Sequence, residues 1–334
     1  MNIEVIKPGL LSTLQDSGRH GFQHLGVLAN GAMDVVAHRI GNLLVGNGPD
    51  CATLELTLQG PHLRFRGDAL IAITGADMDA AVDGLRLPLW RPISVRAGRE
   101  LRFGFASAGC RAYLAVQGGF AAPLFLGSRS TYLRGALGGH QGRALVRGDT
   151  LTIDDYPVPA NPRLIETGQG NKESACWPTW GVSSHQLARL SRPGVIRVLS
   201  AGQTERFSSK ARSALLTQPF KLSSQADRMG YRLEGALIDP PARFEALSQA
   251  VAFGSIQVPP DGKPIVLMAD RQPTGGYPCI AVVVTIDLPQ LAQMRPGDGM
   301  RFALVEVNEA QQLLLARERL LAMMASSFAA RVES

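Results

Sequence analysis

Between residues 53 and 119 apolar and polar residues alternate in one short run after another, and this rhythm restricts the fold more than any other feature. Leu54, Leu56 and Leu58 form the first run. Leu63 and Phe65 follow, then Leu85, Leu87 and Leu89, then Leu101, Phe103 and Phe105. Successive side chains of a strand point to opposite faces, so a spacing of two places each set on one buried face. Turn signals cut the runs apart at Gly60-Pro61, Gly67-Asp68, Asp83-Gly84 and Ala97-Gly98. Regular short strands of this kind predict a barrel or a sandwich, not a helical bundle.

A chain of 334 residues with 45% apolar content has material for two cores. A short internal similarity supports two related domains. Val82-Asp83-Gly84 leads to residues 96–103 (Arg-Ala-Gly-Arg-Glu-Leu-Arg-Phe), and Asp261-Gly262 leads to residues 295–302 (Arg-Pro-Gly-Asp-Gly-Met-Arg-Phe). Residues 154–193 hold five prolines and few apolar runs, and read as a linker with Trp177 and Trp180 as anchors. The expected division is therefore 1–153, linker 154–193, 194–307, and a C-terminal helix over 308–334. Leu313, Leu314, Leu320, Leu321, Met324 and Phe328 give that helix one broad apolar face. A second helix opens at Asn30 or Gly31, with a stripe of Met33, Val36, Ala37, Ile40 and Leu44, and stops at Gly46-Asn47. Asp34, His38 and Asn42 make another stripe four residues apart, either a solvated face or a functional one.

Composition excludes several function classes. No apolar run approaches the roughly 18 residues of a membrane span, and the first residues lack a signal-peptide pattern, so a cytoplasmic location is expected. The four cysteines are far apart, with no Cys-x-x-Cys pair and no histidine cluster, which argues against a metal site or a disulfide framework. Of the 34 basic residues only five are lysines, and the arginines are interleaved with acids along the chain. The net charge of +6 thus forms no basic run with stacking aromatics. Arginine instead suits two-point recognition of a small anion.

Residues 270–278 read Asp-Arg-Gln-Pro-Thr-Gly-Gly-Tyr-Pro between two apolar runs, 264–268 and 280–284. A carboxylate, a guanidinium, an amide and a hydroxyl lie beside two glycines, which let backbone N–H groups approach a ligand. The alternative is a hairpin loop whose polar groups satisfy one another. Ser128, Arg129, Ser130 and Thr131, followed by Gly138-Gly139 and Gly148-Asp149, form either an anion cradle or a connection stitched to its own backbone. Asp227 and Arg228 offer a further carboxylate and guanidinium, with an ordinary ion pair as the plain reading. The glycines at 168 and 170 with Lys172 lack the spacing of a phosphate loop, and no strand leads into them.

Taken together, these segments resemble a known family. The matching pieces are Pro8-Gly9-Leu10 with residues 15–19 (Gln-Asp-Ser-Gly-Arg), residues 31–34 (Gly-Ala-Met-Asp) with 42–47, and 127–131 with Gly148-Asp149. In the second half they are residues 227–233, 254–258 (Gly-Ser-Ile-Gln-Val) and 269–278. The chain resembles the KipA-like, allophanate hydrolase subunit 2-like family, a biotin-dependent carboxyltransferase family that includes the C-subunit of 5-oxoprolinase, over residues 3–307. It departs at Pro273, where the family usually has threonine, and at residues 202–207 (Gly-Gln-Thr-Glu-Arg-Phe), which replace a Gly-Pro-x-x-Asp-x-Phe pattern.

The resemblance implies a mainly β protein of two cyclophilin-like β-barrel domains, a few short helices and a C-terminal helix. It also implies work with a KipI-like partner and a LamB/YcsF-like partner, opening 5-oxo-L-proline to L-glutamate with hydrolysis of ATP. The nucleotide site lies on, or is shared with, the partner. A lactam is a poor electrophile, so its carbonyl oxygen needs activation and fixed donors. The residues expected to act in catalysis are Asp270, Arg271, Thr274, Tyr277 and Asp34. Those expected to bind substrate are Gly275, Gly276, Gln257, Arg228, Ser128, Arg129, Ser130, Thr131 and Asn42. Arg271 or Arg228 would hold the substrate carboxylate. Two alternatives stand beside this: a protein of carboxyltransferase type, as in urea carboxylase, using biotin on another protein, and a KipA-like regulator of a KipI-like kinase inhibitor.

Overall fold

The computed structural model describes residues 1–154, 168–188, 194–241 and 248–333. The fold is mainly β with short helices and one long C-terminal helix. The chain forms two compact units, each assembled from separated segments. The first comprises Met1–Arg19, Asp34–Gln186 and Arg319–Ser334, and the second His20–Met33 and Leu187–Glu318.

The first unit holds a six-stranded and a seven-stranded sheet among the described residues. Alternation explains how they share one core. Ile3, Val5, Leu63, Phe65 and Leu101 come from the first sheet, and Leu14, Leu54, Leu56, Ile71, Ile73, Leu114 and Val116 from the second. The intervening residues of the second sheet, Thr53, Glu55, Thr74 and Tyr113, are buried as well. They face the helix Val35–Leu44, whose Ala37 carbonyl accepts from Thr74 Oγ1 at 2.7 Å. This sheet is thus covered on both faces, one apolar and one largely polar.

The helix starts later than Asn30 or Gly31. Both of those residues have left-handed φ, 55° and 93°, which an α-helix does not accommodate. Asp34 is the N-cap, its Oδ1 accepting from the Ala37 N–H at 2.9 Å.

The second unit is a closed barrel. Its strands run in the order Val195–Ser200, Cys279–Val283, Ser255–Gln257, Ile265–Leu267, Gly230–Gly235, Phe220–Leu222 and Gly299–Leu304. The last strand pairs with the first in parallel, which closes the ring. Ile196, Val198, Phe220, Tyr231, Leu233, Ile256, Val266 and Phe302 fill the interior. The internal similarity reappears as one shared device: the Arg99 N–H donates to the Arg96 carbonyl, and the Asp298 N–H to the Arg295 carbonyl. A strand follows each of these turns, Glu100–Arg102 and Gly299–Leu304.

Within the expected linker, Gln169–Asn171 and Ala175–Trp177 form a hairpin that extends the seven-stranded sheet. Trp177 packs against the first core and Trp180 stacks on Phe328 of the C-terminal helix Val307–Glu333, with ring centroids 5.8 Å apart. The rest of that linker, 155–167 and 189–193, lies outside the described residues. Among the described residues no helix is long and apolar enough to cross a membrane.

A buried charge pair holds part of the barrel. Asp287 precedes the helix Leu288–Ala292 without capping it, because its carboxylate is engaged elsewhere. It accepts from Arg197 N at 2.7 Å, Nε at 2.9 Å and Nη2 at 2.5 Å. Removing one partner of such a pair leaves the other charged and dry. Asp287→Ala is expected to lower unfolding free energy by about 3 kcal/mol, read from urea denaturation. A loss below about 1 kcal/mol, the ceiling for most exposed pairs, would show that the pair is not structural.

Candidate functional site

The polar segment after residue 267 joins Ile265–Leu267 to Cys279–Val283, and these two strands are not neighbours. Ser255–Gln257 lies between them and pairs antiparallel with both. The connection is therefore a crossover between parallel strands, not a hairpin loop, and it passes the end of the middle strand. Gln257, at that end, is buried and supports the loop: its Nε2 donates to the Tyr277 carbonyl at 3.1 Å. A Cβ on Gly275 would lie 2.4 Å from the same nitrogen. A side chain at position 275 would displace the Gln257 amide that sits beneath it.

The loop carries its own small sheet. Thr274–Gly275 pairs with Gln249–Ala250, and the Val251 N–H donates to the Pro273 carbonyl at 3.0 Å. Bonded and non-bonded pairs alternate in an antiparallel ladder, so the next bonded pair is Gln249 with Gly275. The Gly275 N–H thus belongs to the ladder. Among the described residues, the Gly276 N–H donates to no protein group. Proline at 273 gives its carbonyl to the end of this ladder and, lacking an N–H, returns no bond to Val251. Gln203 ties this assembly together, accepting from the Cys279 N–H at 2.7 Å and donating to Gln249 Oε1 at 2.7 Å. Sequence reading registered residues 202–207 only as a departure from a pattern; the contacts of Gln203 give them a place in the site.

Asp270 and Arg228, expected in catalysis and in substrate binding, are joined to each other. Arg228 donates through Nε to Asp270 Oδ2 at 2.9 Å and through Nη2 to Oδ1 at 3.0 Å. Its Nη2 also donates to the Gly31 carbonyl at 2.6 Å, and Asn30 Nδ2 donates to Asp270 Oδ1 at 2.8 Å. Both charges are buried. This explains the left-handed backbone at Asn30 and Gly31, which turns both groups toward the pair. Arg228 thus pairs with a carboxylate 42 residues away in the sequence.

Arg271 is placed differently. It is partly buried, its guanidinium carbon lies 5.6 Å from the Phe253 ring centroid, and its Nε and Nη1 reach the carbonyls of Val251 and Met268 at 3.4 Å. Burial lowers its pKa to about 10. Thr274 is exposed, and Tyr277 is 47% exposed. Cys279 beside the loop is a weak nucleophile: burial pushes its thiol up, and Sγ donates to the Ala281 carbonyl at 3.3 Å.

In the first unit, the residues expected to cradle a ligand cradle a carboxylate of the chain itself. Asp16 Oδ1 accepts from Ser128 Oγ at 2.7 Å, Ser130 Oγ at 2.5 Å and Gly18 N at 2.8 Å, and Oδ2 accepts from Arg129 N at 2.5 Å. Burial alone would raise the Asp16 pKa, but the bonds from Ser130, Ser128, Gly18 and Arg129 outweigh it and hold the carboxyl below its usual range. Thr131 Oγ1 donates to the Leu14 carbonyl at 3.0 Å. Arg129 pairs with Asp154 at 3.0 Å. Arg19, fully buried, donates to the carbonyls of Phe125 and Ser130. Asp16 and Arg19 stand in the motif at 15–19, but apart from the Gly18 N–H their partners lie more than 100 residues away and carry no local signal.

The Asp34, His38 and Asn42 stripe is buried, which rules out a solvated face. Asp34 caps the helix, and its N–H donates to Tyr113 Oη at 2.7 Å, while Tyr113 donates onward to Glu55 Oε2 at 2.8 Å. His38 Nδ1 lies 2.8 Å from Thr53 Oγ1, and among the described residues its Nε2 meets no hydrogen-bond partner. Burial drops the His38 pKa to about 4 against the pull of Asp16, Glu55 and Asp50, so the ring is neutral. Asn42 donates to the Cys51 carbonyl at 2.8 Å and accepts from Asn47 at 3.1 Å, closing the end of the helix.

With this geometry in place, likeness to known proteins can be weighed. The carboxyltransferase domain family, subdomain A and B, matches residues 25–304. The 5-oxoprolinase C-subunit of Haemophilus influenzae is 37% identical over 311 residues, which is 93% of this chain and 94% of that protein. That of Escherichia coli strain K12 is 38% identical over 314 residues, 92% and 93% of the two. The crystal structure of the Kluyveromyces lactis urea carboxylase matches with a TM-score of 0.84 at 27% identity, over 97% of this chain but only 29% of that longer one. A match across most of the length, on a fold with the same barrel architecture, settles the lineage: this chain belongs to the carboxyltransferase domain family, subdomain A and B.

Proposed function

We propose that this chain is the C-subunit of an ATP-dependent 5-oxoprolinase, a hydrolase that opens the cyclic amide of 5-oxo-L-proline to give L-glutamate. It works in the cytoplasm with a KipI-like partner and a LamB/YcsF-like partner. The observation that carries this reading is the near end-to-end identity of 37% and 38% with two proteins named as the C-subunit of 5-oxoprolinase.

Opening a lactam places negative charge on its carbonyl oxygen, and fixed donors aimed at that oxygen lower the barrier. The Gly276 N–H, just past the ladder, is such a donor. Gln257 holds the backbone beneath it, so little reorganisation accompanies the reaction. The exposed hydroxyls of Thr274 and Tyr277 lie on the same loop and exchange protons with the ring or with water. Asp270 and Arg228 act as positioning residues that fix where the loop begins. Asp34, Asn42 and residues 128–131 hold the first unit in shape.

ATP supplies the phosphoryl group that activates the amide. The glycines at 168 and 170 lie at an exposed hairpin, not at a helix start. In this reading the nucleotide is bound on, or shared with, the companion protein, as this chain carries no phosphate-loop spacing.

A second reading, carboxyl transfer from biotin carried on another protein, is favoured by the family and by the urea carboxylase likeness. It asks the same of the loop: donors for an oxygen that gains charge. The chain reconstituted with its KipI-like and LamB/YcsF-like partners is expected to release glutamate and phosphate together, only when oxoproline is present. Phosphate release indifferent to oxoproline, with binding of a biotinyl carrier domain, would favour carboxyl transfer. In the active complex, Gly275→Ala forces Gln257 away from the Tyr277 carbonyl and is expected to lower kcat by about ten- to a hundredfold. Unchanged kcat would remove the loop from the chemistry.

A further inference from the structure

Three arginines of the barrel unit are buried among the described residues, and each has a carboxylate beside it. Arg197 faces Asp287, Arg228 faces Asp270, and Arg317 lies 3.1 Å from Glu318 with a further bond to the Thr285 carbonyl. Arg271 breaks this pattern. No carboxylate among the described residues pairs with it, and its two bonds, at 3.4 Å to neutral carbonyls, are near the outer limit of hydrogen bonding. Phe253 covers one face of the guanidinium, and the Nη2 edge has no partner among the described residues. The side chain keeps its charge at neutral pH, since burial takes its pKa only to about 10.

We infer that Arg271 is the anchor for the carboxylate group of a small molecule, which approaches in the plane of the guanidinium beside Phe253. The planar fork of arginine matches two carboxylate oxygens, and a covered face leaves in-plane approach as the open route. One positive charge also balances one carboxylate, whereas a phosphate dianion would stay half neutralised. The backbone N–H of Gly276 lies five residues further along the same loop, so one ligand bearing both a carboxylate and an amide suits it. Naming that ligand as 5-oxo-L-proline rests on the 5-oxoprolinase reading; the carboxylate anchor rests on the geometry alone.

The test uses the reconstituted complex without ATP. Calorimetric titration with 5-oxo-L-proline is compared with 2-pyrrolidinone, which has the ring but no carboxylate. Arg271→Gln is expected to weaken oxoproline binding by more than about tenfold, with Arg271→Lys between the two, and to leave the weak pyrrolidinone binding unchanged. Oxoproline binding within about twofold of wild type in a variant that melts normally would overturn the anchor, as a twofold change is well under the strength of one charged hydrogen bond. A second measurement needs no variant: modification of Arg271 by phenylglyoxal in the wild-type chain, followed by peptide mass spectrometry. Acetate should slow it and acetamide should not. Equal rates with and without acetate, or stronger protection by inorganic phosphate, would overturn the assignment. Should the wild-type complex neither bind nor turn over oxoproline, the functional reading falls, and acetate protection alone decides the anchor.

Discussion

A charge withdrawn from water must be answered by donors, acceptors or an opposite charge, and the architecture of this protein is organised around that requirement. Asp16 is answered by two serine hydroxyls and two backbone N–H groups, Asp287 by the Arg197 side chain and its N–H, and Asp270 by Arg228 and Asn30. Apart from the Gly18 N–H, each answer comes from a distant part of the sequence and ties two separate segments together. Arg271 is partly buried and differs from the three buried arginines of the barrel unit in having no carboxylate beside it among the described residues.

The alternation between residues 53 and 119 made the strands of the first unit readable, because burial on one face imposes a period of two. The C-terminal helix was equally plain, and the apolar stripe from Val36 to Leu44 marked the short one. The helix start was misjudged because Asn30 and Gly31 are good cap residues by type, while their left-handed backbone serves Arg228 and Asp270. The polar loop was visible as an oddity of composition, but its topology was not. Whether two consecutive strands pair or flank a third is decided by closure of the whole barrel, which no local pattern reports. The carboxylate inside the 128–131 cradle was hidden for a related reason, since Asp16 stands 112 residues from Ser128.

Within the family, the two proposed chemistries differ in substrate and carrier yet converge on a physical task. Hydrolysis of a lactam and transfer of a carboxyl group both build charge on an oxygen bound to carbon. In both proposed readings the same element is asked to do this, the loop floored by Gln257 with an N–H beyond the end of its ladder.

The barrel of the second unit is closed by its first and last strands, Val195–Ser200 and Gly299–Leu304. During synthesis the earlier strand leaves the ribosome about 100 residues before its partner, and at some 5 to 20 residues per second this is a wait of several seconds. For that interval the nascent chain displays an unpaired edge rich in Val, Ile and Leu, the kind of surface that chaperones recognise and that aggregates when they are absent.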